Sequence, residues 1–92
     1  MNLIVELSTP RGTVFIGETS SVELKTGDGS VLMLPPGNTV ISMTGSSTIV
    51  LRCGSNLKRF LLENATLGLR GGRLTILAEV IQPVKRVSRR KA

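Results

Sequence analysis

Apolar residues recur at every second position in several short stretches of this chain, the pattern of a strand with one buried face. Leu3, Val5 and Leu7 alternate with Asn2, Glu6 and Ser8, and Val22 and Leu24 with Glu23 and Lys25. Ile49, Leu51 and Cys53 alternate with Thr48, Val50 and Arg52. Leu74, Ile76, Ala78 and Val80 alternate with Arg73, Thr75, Leu77 and Glu79. Turn signals separate these runs: Pro10-Arg11-Gly12, Gly17, Gly27-Asp28-Gly29, Pro35-Pro36-Gly37-Asn38, Gly45, Gly54-Ser55-Asn56 and Gly71-Gly72. The last pair suits a two-residue hairpin, because glycine accepts the positive φ of a primed turn. It predicts a strand near 65–70 joined to one at 73–81.

Residues 55–67 fit two patterns. Leu57, Phe60, Leu61 and Ala65 make a helical stripe behind a Ser55 cap, whereas the strand alternation there is poorer. Hairpin signals on both sides favour the strand. The 24 Val, Ile and Thr residues add to it, since a branched Cβ suits a pleated surface. The fold expected is all-β, a compact β-sandwich or flattened barrel of about eight to ten short, mostly antiparallel strands over residues 1–82, with a basic and disordered tail at 83–92.

Charge sharpens that division. Residues 1–82 hold seven basic and six acidic side chains, a net +1, while Lys85, Arg86, Arg89, Arg90 and Lys91 supply the remaining +5 of the chain's +6. Anionic lipid and nucleic acid are the candidate partners of such a tail. Base-stacking platforms usually offer aromatic side chains, and here Phe15 and Phe60, both inside apolar runs, are the only ones. His, Trp and Tyr are absent and Cys53 stands alone, so the usual zinc sites, disulfides and nucleophile–base pairs have no residues to form from. No catalytic, cofactor-binding or metal-ligating set emerges, nor a small-molecule substrate site. Asp28-Gly29-Ser30 reads as a turn rather than a cation site. The opening Met-Asn-Leu-Ile-Val-Glu lacks the features of a secretory signal. Gly29 to Leu51 is free of charge over 23 residues, but its Pro-Pro-Gly break and its Ser and Thr content argue against a membrane span.

Four segments, taken in order, resemble the N-terminal β-sandwich domain of the epsilon subunit of rotary F-type ATP synthases, called delta in mitochondria. They are Ser8-Thr9-Pro10-Arg11-Gly12-Thr13-Val14-Phe15-Ile16-Gly17, Val22-Glu23-Leu24-Lys25-Thr26-Gly27-Asp28-Gly29, Leu34-Pro35-Pro36-Gly37-Asn38-Thr39, and Gly68 to Glu79. The likeness spans residues 3–81. The chain departs from the family at Ser30, often Glu there, at Leu32, usually Gly, at the extra proline before Gly37, and at Asn38, usually His. The family's C-terminal helical hairpin has no counterpart in these 92 residues.

The resemblance implies a non-catalytic central-stalk subunit. It would dock on the gamma subunit, couple it to the c-ring at the cytoplasmic face of the membrane as a peripheral component, and lack the inhibition that the helical hairpin provides. The expected contact surface is the charge-free band and its turn: Leu32, Met33, Leu34, Pro36, Gly37, Asn38, Val40 and Met43. Met33 and Met43 suit a contact because thioethers adapt to a partner, while Leu34, Val40 and Ile41 also read as core. A free-standing epsilon-like interaction module is the alternative, and a small basic β-barrel binding nucleic acid through its tail a more distant one.

Overall fold

The computed structural model describes residues 3–32 and 38–84. Seven strands make up the described chain: β1 (Leu3–Thr9), β2 (Gly12–Thr19), β3 (Ser21–Thr26), β4 (Val31–Leu32), β5 (Thr39–Cys53), β6 (Asn56–Arg70) and β7 (Arg73–Pro83). The segment 55–67, which fits two patterns in sequence, is strand from Asn56 onward, with Ser55 in the turn before it. Two hairpins follow the turn chemistry of their glycines. Gly71 and Gly72 both take positive φ, 56° and 76°, as a type I′ turn requires. Between β5 and β6 only Gly54 does, at 65°, the arrangement of a type II′ turn.

The strands are fewer and longer than the eight to ten expected. Gly45 and Gly17 do not end strands. Gly45 sits at a bulge inside the 15-residue β5. Gly17 lies within β2, where an added Cβ would come 3.0 Å from the Phe15 ring, so its missing side chain makes room for that ring.

One sheet holds all seven strands in the order β2-β1-β7-β6-β5-β3-β4. Every neighbouring pair is antiparallel except β1 and β7, which run parallel with Ile4 opposite Arg73 and Ser8 opposite Leu77. The sheet folds over on itself into a sandwich, so that β2 meets β5 although the two are not hydrogen-bonded neighbours. The Phe15 ring on β2 packs against that of Phe60 on β6, with centroids 5.7 Å apart. Inside lies one core, with Val5, Leu7, Leu24, Ile49, Leu51, Leu62, Leu74 and Ile76 fully buried. All but Leu62, which lies in the segment of poorer alternation, are inward positions that the alternation predicts.

The fold-over has a visible hinge line across three strands. Met43 pairs with Ala65 and Ser46 with Glu63, so β5 carries one extra residue there. Gly45 (φ 87°) absorbs it, and Asn64 on the neighbouring strand is, among the described residues, the one non-glycine with positive φ, at 52°. The N–H of Gly45 donates to Oδ1 of Asn64 (2.8 Å), and Nδ2 of Asn64 donates to Oε1 of Glu79 on β7 (2.9 Å). Across this line the buried set changes phase: Ala65 and Leu62 are both inward on β6, as are Ala78 and Ile81 on β7. Val80, which a simple alternation puts inside with Ala78, is consequently 36% exposed, and Ile81 takes the inward place.

The β3–β4 turn is closed by its own side chains. Thr26 Oγ1 and the N–H of Ser30 (3.0 Å) both donate to Oδ1 of Asp28, and the N–H of Gly29 donates to the carbonyl of Thr26 (3.0 Å). The Thr26 hydroxyl first, and then the Ser30 amide, lower the Asp28 carboxyl to about 2. Its contribution to the turn is complete above the ordinary carboxylate range and disappears as pH falls through about 2. An NMR titration should place the Asp28 midpoint near 2, with the Ser30 amide moving in step; a midpoint near 3.8 would show that the turn bonds do not persist in solution.

Candidate functional site

On the outward face of the sheet, register brings together residues far apart in sequence. Ile16 lies opposite Glu6, Glu6 opposite Thr75, Thr75 opposite Gly68, and Gly68 opposite Val40, a row crossing β2, β1, β7, β6 and β5. Gly68 leaves a gap in it, since a Cβ there would meet nothing within 4 Å. The gap floors a shallow groove of about 420 Å³ walled by Asn38, Val40, Leu69, Arg70, Arg73 and Thr75. Val40 stands at its rim with 76% of its surface exposed, the barest large apolar side chain among the described residues. Arg73 is held in place by Glu6, with Nη2 2.7 Å from the carboxylate. Ile16, 57% exposed, continues the apolar character along the row.

The charge-free band expected to form one contact surface divides between two faces. Asn38 and Val40 line the groove. Met43, three residues further along β5, projects inward and is half-buried against the core beside Ile41, as the period-2 pleat requires. Val40, which also reads as a core residue in sequence, is therefore surface. Leu32 belongs to β4, opposite Leu24. Met33, Leu34, Pro36 and Gly37 lie outside the described residues, as do Lys85, Arg86, Arg89, Arg90 and Lys91. Gly68, Arg70, Arg73 and Thr75 are the groove residues that sequence reasoning does not single out. The Gly71-Gly72 turn contains part of that information, because a two-residue loop sets Arg70 opposite Arg73 and Gly68 opposite Thr75.

Among the described residues no three His, Cys, Asp or Glu side chains cluster as metal ligands would, and no helix is long and apolar enough to cross a membrane. The groove offers an apolar rim, two guanidinium groups and amide and hydroxyl donors. Those are means of holding a partner surface.

No protein-family model matches the chain, and no curated protein matches it. Solved structures do. A chain in the cryo-EM structure of the Euglena gracilis mitochondrial ATP synthase, OSCP/F1/c-ring in rotational state 1, matches with a TM-score of 0.72 at 12% identity. The match covers 95% of this chain and 56% of that one. The fold is one found in an ATP synthase. This chain thus corresponds to just over half the length of its structural neighbour, and the likeness is one of backbone path.

Proposed function

We propose that the protein is a non-catalytic, epsilon-type subunit of the central stalk of a rotary ATP synthase, docking on the gamma subunit and coupling it to the c-ring. The observation that carries this reading is the match of nearly the whole sandwich, 95% of the chain, to part of a chain in an ATP synthase structure. The four sequence segments that resemble the epsilon sandwich support it independently, because the order of residue motifs does not depend on the backbone path. The work of such a subunit is mechanical. A sandwich with a single close-packed core transmits force without changing shape. In this reading the subunit is peripheral, at the cytoplasmic face of the membrane.

The groove at Asn38, Val40 and Gly68 is the proposed gamma contact, together with Leu32, Met33, Leu34, Pro36 and Gly37, which precede it in sequence. Its exposed valine and fixed guanidinium resemble the apolar centre and polar rim of a protein interface. Val40→Asp should leave the fold intact, as the side chain is mostly exposed, and weaken gamma binding by about tenfold or more. Isothermal titration against gamma checks it; unchanged affinity would remove the groove from the interface. Nucleic-acid binding is the weaker reading, because Phe60 is buried and Phe15 half-buried, leaving no exposed ring for a base to stack on.

A further inference from the structure

The outward face of the other layer, formed by β3, β5 and the first half of β6, has a different composition. Arg52 and Arg59 line two adjoining concavities there, of about 310 and 290 Å³, together with Leu57. Lys25 adds a third cation; Glu23 lines the same concavity, and Glu63 stands outward further along β6. Among the described residues none of these cations is ion-paired. The first layer is balanced by contrast, with Glu6, Glu18 and Glu79 outward beside Arg70 and Arg73. Leu57, close to the β5–β6 turn, is 45% exposed, and Val84 is 42% exposed beside it. The N–H of Val84 donates to the carbonyl of Arg59 (2.9 Å), which ties the chain to this face just before the five cations of residues 85–92.

We propose that this face, through Lys25, Arg52, Leu57, Arg59 and Val84, with the basic residues that follow Val84 in sequence, docks on an anionic phospholipid surface. Cations set around exposed aliphatic side chains match an interface in which phosphates lie above acyl chains. The guanidinium groups pair with phosphate in a forked geometry, and Leu57 and Val84 enter the headgroup boundary. A nucleic acid would use the charge but leave the two aliphatic side chains without a partner, and the face has no aromatic ring to stack on a base. Asn38 and Val40 lie at the opposite end of β5, so this inference does not rest on the stalk reading.

The test is co-sedimentation of the full chain with vesicles of phosphatidylcholine containing 30% phosphatidylserine (by design, about the anionic fraction of a charged leaflet), and with pure phosphatidylcholine. Binding should require the anionic lipid. Each cation contributes about fivefold, so Arg52→Gln with Arg59→Gln should weaken binding on the order of 30-fold. Leu57→Ser should weaken it about fivefold. Arg52→Lys with Arg59→Lys should retain most of it, which separates loss of charge from loss of fold. Equal binding by the double Gln variant would assign any affinity to residues 85–92 alone and overturn the proposal. Equal binding to neutral vesicles would do the same. So would RNA binding that depends on Arg52 and Arg59 but is indifferent to Leu57, which would make the face a nucleic-acid surface.

Discussion

Leu62→Ala should destabilise the protein by about 2–5 kcal/mol, the cost of lost transfer energy plus an unfilled cavity. Leu62 sits on β6, between β5 and β7, opposite Ser47 and Ile81, and is fully buried. Little in so small a core can collapse to refill the space. A loss of this size is a large share of a small domain's stability, and for fewer than 100 residues each kcal/mol moves Tm by roughly 4–8 °C. Leu57→Ala, on the same strand but outward, should stay within about 0.5 kcal/mol. Urea denaturation of the two variants gives both numbers. Similar costs at the two sites would mean that β6 does not present the faces described.

Asn64→Ala should cost about 1.5–3 kcal/mol, unusual for an exposed residue. Two effects combine. Positive φ is tolerated by Asn and Gly but strains Ala by about 1–2 kcal/mol. The side chain also joins Gly45 on β5 to Glu79 on β7, and losing the two bonds together costs about 0.5–1 kcal/mol at an exposed site. Asn64→Gly keeps the backbone conformation and loses the bonds, so it should cost only about 1 kcal/mol. The gap between the variants measures the strain at the hinge line. If Gly costs as much as Ala, the bonds alone hold the corner and the positive φ is incidental.

Local features of the fold were legible in the sequence because the physics behind them is local. Strict alternation in β1, β3 and the first half of β7 marks one buried face, and the Gly71-Gly72 turn sets its own register. Gly45 reads as a turn because glycine punctuates both turns and bulges; only the pairing of Met43 with Ala65 and Ser46 with Glu63 distinguishes them. Val80 follows the local alternation on paper, but the hinge at Asn64 and Glu79 shifts the inward set to Ile81. The parallel pairing of β1 with β7 joins the two ends of the chain and has no local signal.

The candidate site was half visible for the same reason. Asn38 and Val40 stand out in a charge-free band, but the band spans a strand whose side chains alternate, so Val40 and Met43 part company. The groove itself is made by Gly68 facing Val40 from 28 positions away, a juxtaposition set by the β5–β6 bulge register.

Stable association with gamma decides whether this sandwich serves a rotary stalk. The full chain would be co-expressed with the gamma subunit and c-ring encoded by the same cell, captured by a tag on the chain and passed over a sizing column. The stalk reading predicts that chain and gamma elute together and that Val40→Asp separates them. A folded chain eluting alone, with gamma intact and soluble beside it, would contradict that reading and leave an ATP synthase fold serving another partner.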